Sequence, residues 1–190
     1  MACNWKLAVE NYCESYPLPW VHPGLNTYSR LEDHYNINEY GRFSGQGSLV
    51  YNPKLDETGR SFSDFEGLSE QWDSGAEYIA LYPNLPLGVH RDHVYAILLE
   101  AVDHTTTRER VEIYYASPDM TGNDMTGNDM ADLREKNAVL WKGIFVEDIF
   151  VVEGMQKGRH ASGFDGGKFS PVMDGPTHCF HHWIASQYTR

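Results

Sequence analysis

The residues most able to do chemistry are concentrated near the start of the sequence, in residues 4–25. This stretch places the carboxylates of Glu10 and Glu14, the phenol of Tyr16 and the imidazole of His22 within an otherwise apolar run. Carboxylates and imidazoles are the side chains that most often transfer protons in enzymes and bind catalytic metals. We therefore expect the functional site to include this segment.

The same segment resembles the iron-site segment of a known family. The matching residues are Asn4-Trp5-Lys6, Glu10-Asn11, Glu14 and Tyr16 with one residue between them, and His22-Pro23-Gly24. These motifs are similar to those of the large (alpha) subunit of Rieske-type non-haem iron oxygenases, which hydroxylate aromatic rings or oxidise quaternary amines. In that family the segment consists of an acidic residue, any residue, Tyr, a first His, four further residues and a second His. Both histidines bind iron. His22 stands at the second histidine position, and Pro17 occupies the first.

The resemblance implies a role for each matching residue. Mononuclear Fe(II) in such sites is held by two imidazoles and one carboxylate on one face, which leaves positions open for O2. Glu14 corresponds to the carboxylate that relays electrons from the Rieske cluster of a neighbouring subunit, and Asn11 to an asparagine near the iron. Pro17 offers no side-chain donor, and its ring removes a backbone N–H and restricts the preceding residue. We expect His22 to bind iron in a weakened site, with a bent backbone at Pro17.

A long helical pattern supplies candidates for the carboxylate ligand. It begins near Asp129, with Asn128 or Asp129 as the N-terminal cap. Glu147 and Asp148 both lie close to its apolar stripe, where a carboxylate is costly unless it is paired or bound to a metal. Periodicity does not choose between them, whereas the resemblance of residues 146–149 to the family assigns the iron ligand to Asp148. The alternative is a structural Asp148 in a salt bridge or cap. The core-facing stripe of this helix comprises Leu133, Leu140, Ile144, Val151 and Met155.

Other histidines offer weaker candidates. His34, flanked by Asp33 and Tyr35, is expected to be a solvent-facing loop residue, with a substitute iron ligand as the alternative. His90 and His93 have a spacing that could bind a metal, but without a third ligand nearby an exposed turn is the favoured interpretation.

A Rieske [2Fe–2S] cluster requires two cysteines and two histidines. The sequence has three cysteines, and its best local match, residues 179–182, provides one cysteine for both halves of the motif. We interpret this match as a helix with histidines on its outer face. The N-terminal Rieske domain of the family is therefore expected to be absent, which leaves residues 1–190 as a single truncated catalytic-type domain. The cluster would come in trans from another chain, with reductase donors, in a possible homotrimer.

Charge and hydropathy argue against some classes of binding partner. The formal net charge of −12 argues against binding to nucleic acid or anionic membranes. No apolar run is long enough to span a bilayer. The first residues lack the basic and apolar regions of a signal peptide, and the few scattered cysteines do not form a disulfide framework. A cytoplasmic protein is the expectation.

The expected fold class is α+β, specifically the helix-grip (START-like) fold implied by the resemblance, a curved antiparallel sheet over a long helix. A short strand is predicted at 48–51, and a helix is predicted to begin at Asp174 or Pro176 with Phe180, Trp183, Ile184 and Tyr188 on its apolar face. A duplicated pentapeptide, 119–123 and 124–128, predicts a lengthened loop. Consecutive antiparallel strands are predicted at Tyr78 to Tyr82, His93 to Glu100 and Val111 to Tyr115, separated by residues 83–88 and by a turn at 103–108.

The resemblance implies O2-dependent hydroxylation or demethylation of a small organic substrate, aromatic or quaternary amine, at mononuclear Fe(II), impaired by Pro17. One alternative is a non-catalytic remnant that binds an apolar ligand without a redox metal. Another is an interaction module that joins intact large subunits and modulates their trimers.

Overall fold

A computed structural model describes residues 1–57, 59–116 and 127–189, with side chains described from residue 130 onward in the last range. Its centre is a six-stranded antiparallel sheet in which every strand pairs with its neighbours in the chain. This is the α+β class that the sequence predicts. The strands are β1 (His34–Glu39), β2 (Phe43–Ser48), β3 (Ala76–Leu81), β4 (Leu85–His90), β5 (His93–Ala101) and β6 (Thr107–Tyr115).

Within the described ranges, four α-helices accompany the sheet: α1 (Trp5–Tyr12), α2 (Leu18–Val21), α3 (Gly127–Arg159) and α4 (Gly175–Tyr188). The side chain of Asn4 caps α1 by accepting a hydrogen bond from the Lys6 amide at 3.1 Å. Asp174 precedes α4 and Pro176 lies in its first turn, which confirms the predicted start. Phe180, Trp183 and Ile184 pack on the core as expected, but Tyr188 is exposed. Among the described residues, no helix is sufficiently long and apolar to cross a bilayer.

Trp141 of α3 is the centre of the core between helix and sheet. Its side chain is 1% exposed, and its ring lies 4.5 Å from the ring of Tyr95 and 5.0 Å from that of His90. The indole Nε1–H donates to Nε2 of His93 at 2.8 Å. The imidazoles of His90 and His93 are stacked at 4.3 Å and both buried, so the predicted exposed turn is wrong. The long-range contact with Trp141 explains their burial.

The predicted strands at 78–82, 93–100 and 111–115 overlap β3, β5 and β6, and the last of these begins four residues earlier than expected. The predicted separator at 83–88 is wrong, because most of it forms β4. Gly88 is required in that strand, since a Cβ there would lie 2.2 Å from the Tyr95 ring. The predicted strand at 48–51 is also displaced, because Ser48 is the last residue of β2.

Helix α3 begins at Gly127, so Asn128 and Asp129 lie within its first turn and are not its caps. Leu133 is fully buried as predicted, whereas the most buried apolar residues further along are Trp141 and Val152. Most of the duplicated pentapeptide lies outside the described residues. The other residues of the predicted stripe, Leu140, Ile144, Val151 and Met155, are half-buried.

One inward-facing residue of β6 is a carboxylate. Residues of this strand alternate between the helix side and solvent, and Glu109 shares the inner side with Val111 and Ile113. No hydrogen bond or ion pair joins Glu109 to another residue in the described part of the chain. The pKa of Glu109 is raised to about 7, first by burial and second by the negative charge of Asp148, whereas the amino group of Met1 acts to lower it.

The core contact of Trp141 predicts a large loss of stability on truncation. Trp141→Ala should lower the free energy of unfolding by about 3–5 kcal/mol, because it leaves a cavity between α3 and the sheet. Urea denaturation followed by circular dichroism measures this. Phe150→Ala on the same helix is the matched control, because Phe150 is 85% exposed and should change stability by less than about 0.5 kcal/mol. Equal losses in the two variants would contradict this packing.

The unpaired carboxylate of Glu109 predicts that a neutral replacement stabilises the protein at high pH. Because the folded-state pKa of Glu109 is raised from 4.5 to about 7, its protonated form favours folding below pH 4.5 and this contribution is lost as the pH rises through 7. Glu109→Gln should therefore raise the free energy of unfolding at pH 8 by about 2 kcal/mol and change it much less at pH 5. The exposed Glu112→Gln on the same strand is the control. A variant that is equally or less stable than the native chain at pH 8 would refute the assignment.

Candidate functional site

The structure brings His22 and Asp148 together across the long helix. His22 lies at the C-terminal end of α2, and Asp148 lies in the C-terminal half of α3. The imidazole Nε2 of His22 lies 3.1 Å from Oδ1 of Asp148. The imidazole is buried, whereas the Asp148 side chain is 24% exposed. Two residues that are far apart in sequence and assigned by resemblance are therefore neighbours in space.

Asn11 completes this group from a third element. It projects from the last turn of α1, and its Nδ2 donates to the same Oδ1 of Asp148 at 2.7 Å. The amide therefore fixes the orientation of the carboxylate that faces His22. The prediction that Asn11 lies near the site agrees with this contact.

Glu147 contacts the opposite side of His22. Its Oε2 accepts a hydrogen bond from Nδ1 of His22 at 2.8 Å, and its side chain is 44% exposed. The pKa of His22 is lowered by burial, but the hydrogen bonds and charges of Asp148 and Glu147 outweigh that effect and raise it overall. Nδ1 and Nε2 lie on opposite sides of the imidazole ring. A metal ion bound to Nε2 could therefore also be bound by Asp148, but not by Glu147. Glu147 instead orients the ring, as carboxylates commonly do for metal-bound histidines.

The donor atoms of this group fit a metal only in part. Two donors that occupy adjacent positions about 2.1 Å from a metal are about 3 Å apart, close to the 3.1 Å that separates His22 Nε2 from Asp148 Oδ1. No group of three His, Cys, Asp or Glu side chains that could hold a metal is found within the described residues. Within the described residues, His22 and Asp148 are therefore not joined by a third ligand of these types. That Pro17 stands in the place of the second imidazole stays a prediction.

Pro17 lines the same cavity as His22 and Asp148. It precedes α2 with φ −70° and ψ −15°, a conformation that proline adopts readily. A missing backbone N–H at a helix start removes no intrahelical hydrogen bond. Pro17 therefore costs the local fold little, and it offers no donor atom to the cavity that it lines.

The cavity beside His22 and Asp148 has a volume of about 60 Å³. His34 forms part of its wall, so the predicted solvent-facing loop position is wrong. Its Nδ1 lies 2.7 Å from Oε1 of Gln46 and its Nε2 lies 3.0 Å from Oγ of Ser29. Since both ring nitrogens are already bonded to neutral groups, His34 has no nitrogen left for a metal. The aromatic side chains that line the cavity are Tyr12, Tyr78, Tyr95, Trp141 and Phe145.

Glu14 lies between this cavity and an outer cleft of about 680 Å³, because it lines both. Its carboxylate accepts a hydrogen bond from the Thr177 hydroxyl at 3.3 Å. Burial raises the pKa of Glu14 to about 7; a hydrogen bond from Tyr16 lowers it, and the charge of Asp174 raises it. Gln46 donates to the Glu14 carbonyl oxygen at 2.9 Å and so ties this residue to the sheet.

Residues 179–182 lie in α4 and not in a cluster-binding loop. Cys179 is fully buried, while Nε2 of His181 pairs with Oε1 of Glu10 at 2.7 Å and His182 is exposed. The predicted helix is confirmed, although only His182 of the two histidines is fully on the outer face.

Sequence reasoning missed two contributions to this site, Glu147 and Gln46, and one carboxylate near it, Glu109. Glu147 was considered only as a competitor of Asp148, although two adjacent acids can contact both nitrogens of one imidazole. Gln46 had no signal in the sequence, because its contacts with Glu14 and His34 depend on the position of β2. Glu109 could have been found, since a period of two places it on the same strand face as Val111 and Ile113.

Comparisons with known proteins identify the family of this chain and proteins that are similar to it. The profile of the ring hydroxylating alpha subunit (catalytic domain) family matches residues 1–190. The chain is 26% identical over 195 residues to putrescine 2-hydroxylase of Ralstonia nicotianae, covering 95% of this chain and 50% of that protein. It is 27% identical over 168 residues to the carnitine monooxygenase oxygenase subunit of Escherichia coli K12, covering 86% and 39%.

Among solved structures, the quaternary ammonium Rieske monooxygenase CntA in complex with an inhibitor superimposes with a TM-score of 0.69 at 21% identity. That match covers 100% of this chain and 47% of CntA, and at this identity it shows the fold. The chain thus spans about half the length, or less, of these relatives. The 190 residues therefore belong to the ring hydroxylating alpha subunit family, whose catalytic domain they match along their whole length.

Proposed function

We propose that this chain is the oxygenase domain of a Rieske-type monooxygenase that acts on a small organic amine, with an iron site impaired by Pro17. The observation that carries the proposal is the contact of His22 Nε2 with Asp148 Oδ1 at 3.1 Å, fixed by Asn11 at 2.7 Å. His22 and Asp148 would hold mononuclear Fe(II), which supplies the reductive activation of O2 when it is bound. The missing donor at Pro17 makes that binding weaker than in a complete site.

The surrounding residues would position the two ligands. Glu147 accepts the Nδ1 proton of His22, which directs the Nε2 lone pair toward the metal. Asn11 holds the Asp148 carboxylate against rotation. Both contacts order the remaining ligands before any metal binds, so they offset part of the loss at Pro17.

The substrate is proposed to be a small amine that carries a positive charge, hydroxylated or demethylated next to its nitrogen-bearing carbons. Putrescine 2-hydroxylase and the carnitine monooxygenase subunit are named for such compounds. In this chain the cavity wall carries Tyr12, Tyr78, Tyr95 and Trp141, and aromatic faces attract ammonium groups. These rings would also keep water away from the reacting carbon.

Electrons are proposed to arrive through Glu14. Glu14 lines both the cavity beside His22 and Asp148 and the outer cleft, so an electron donor in that cleft would lie next to it. The 190 residues contain no Rieske-cluster motif, so the cluster would come from outside them. We propose a neighbouring subunit, as in a homotrimer, as its source. The exposed surface around Glu14 suits such a contact, since Trp20 is 77% exposed and lines the same cleft.

A second candidate function is binding of an apolar ligand without a redox metal. The absence of a three-donor metal group among the described residues favours it, as does the aromatic lining of the cavity. In that case the contact of His22 with Asp148 would serve stability alone. Iron binding separates the two functions.

Anaerobic Fe(II) titration of the native chain and its Pro17→His variant tests the metal site. The variant should bind one equivalent at least about tenfold more tightly, because it restores an imidazole that faces the cavity. Adding Asp148→Ala to the variant should abolish tight binding. Adding the exposed Glu66→Ala instead should leave it unchanged.

Equal, tight binding by the native chain and the variant would show that another residue supplies the missing donor, and would contradict the impairment. Binding by neither would reject His22 and Asp148 as ligands and leave the metal-free function. Circular dichroism of each variant shows that the comparison is made on folded protein.

The electron route predicts a separate effect for Glu14. In the Pro17→His background, Glu14→Gln should leave Fe(II) affinity unchanged but slow oxidation of a relative's reduced Rieske cluster on the order of 100-fold. Stopped-flow absorbance of the cluster in mixed oligomers measures this rate. The control is Asp174→Asn, because Asp174 lines the outer cleft without lining the cavity beside His22 and Asp148. Equal rates in both variants would exclude Glu14 from the route.

A further inference from the structure

We propose that a groove between β6 and α3 is the route by which the ammonium substrate reaches the site, and that Glu109 binds its positive charge on the way. This inference rests on the proposed function for its substrate, and it assigns the route and the charged anchor.

The groove has a volume of about 1000 Å³. It lies along the edge of the sheet, because β6 is the last strand and, in the part of the chain that the structure describes, pairs only with β5. Its walls are largely apolar, formed by Val111 and Ile113 of the strand and by Val146 and Ile149 of the helix. A small organic molecule could therefore enter it without losing contact with apolar surface.

A small inner cavity lies between this groove and the His22 and Asp148 site. The inner cavity has a volume of about 30 Å³ and shares Met1, Glu109 and Phe145 with the groove. On its other side it shares Asn11, Tyr12 and Asp148 with the site cavity. Phe145 lines all three spaces. The three spaces are thus consecutive, with the Phe145 ring as the common wall.

The charges along this route favour a cation at its inner end. Glu109 and Asp148 are the charged side chains of the inner cavity, and its other walls are mainly apolar, although Met1, with its positively charged amino group, is one of them. The basic groups Arg108, Arg134 and Lys142 line the groove, as does Glu135, but they do not line the inner cavity. The amino group of Met1 donates to the Thr107 carbonyl oxygen at 2.9 Å.

Glu109 itself has no hydrogen-bond or ion-pair partner among the described residues, although it is half-buried. A carboxylate withdrawn from water without a partner is costly, so a cationic ligand at this point would gain more than it would at the surface. An ammonium group is the complementary ligand.

The size of the inner spaces gives Phe145 a role. Cavities of about 30 and 60 Å³ hold about one and two water molecules, which is less than choline or putrescine requires. The half-buried Phe145 ring must therefore move for such a ligand to pass from Glu109 to Asp148. Its position as the shared wall makes it the side chain whose rotation joins the three spaces.

Calorimetric titration with choline and putrescine tests the anchor. Glu109→Gln should weaken the binding of both cations by about tenfold or more, since it removes the charge and keeps the shape. Glu135→Gln is the matched control, because Glu135 lines the groove without lining the inner cavity, and it should change affinity less than about twofold. The neutral analogue 3,3-dimethylbutan-1-ol should bind the native chain and the Glu109→Gln variant equally. Equal cation affinity in the native chain and Glu109→Gln would overturn the assignment.

Stopped-flow tryptophan fluorescence tests the route, because Trp141 lines both the groove and the site cavity. Ala138→Trp places a large ring in the groove and should slow choline association at least about fivefold. Val139→Trp is the control, because Val139 is 63% exposed and does not line the groove. Equal association rates in the two variants would overturn the groove as the route.

These measurements need no iron, so their outcome is separate from that of the Fe(II) titration. Failure of every variant and the native chain to bind either cation would overturn the inference even if iron binds at His22. Conversely, Glu109-dependent cation binding in a chain that binds no iron would support the anchor and refute the proposed chemistry.

Discussion

The contact of one buried imidazole with two adjacent carboxylates is the interaction on which the site depends. His22 bonds Glu147 through Nδ1 and Asp148 through Nε2, and so attaches the segment after α2 to the long helix α3. Asn11 adds α1 to the same point through Asp148. Breaking a partly buried charged contact of this kind leaves the other partners unpaired, which is more costly than the contact itself is stabilising. The three elements therefore hold one another in place around the cavity.

That arrangement does not depend on the residue at position 17. Pro17 occupies a helix start, where it does not disturb the backbone, and the contacts among His22, Asp148 and Asn11 do not involve it. The fold thus accommodates a proline at this position. Glu109, by contrast, opposes folding: its pKa is raised mainly by burial, so its charged form makes the fold less stable. Side chains that oppose stability in this way are most often retained for binding or catalysis.

The sequence predicts that residues 4–25 and the long helix share one site, and the structure places His22 and Asn11 beside Asp148. The roles of Asp148 and Glu147 could be told apart only by resemblance, since both lie near the apolar stripe of α3. The strands rich in β-branched and aromatic residues were predicted, but β4 was not, because its Pro86 and Gly88 resemble a turn. Gly88 is there to make room for the Tyr95 ring, a contact between strands that no local pattern reveals. The burial of His90 and His93 likewise depends on Trp141, which lies far away in the sequence.

The central claim is that His22 and Asp148 belong to one iron site whose missing member is the side chain at position 17. Iron-edge anomalous diffraction from anaerobic crystals of the Pro17→His variant with Fe(II) tests this most directly. The account predicts a single iron bound by the introduced imidazole, His22 Nε2 and Asp148, with Glu147 still accepting from Nδ1 of His22. Iron bound through Glu147 in place of Asp148, iron at another position, or no iron at His22 would contradict it.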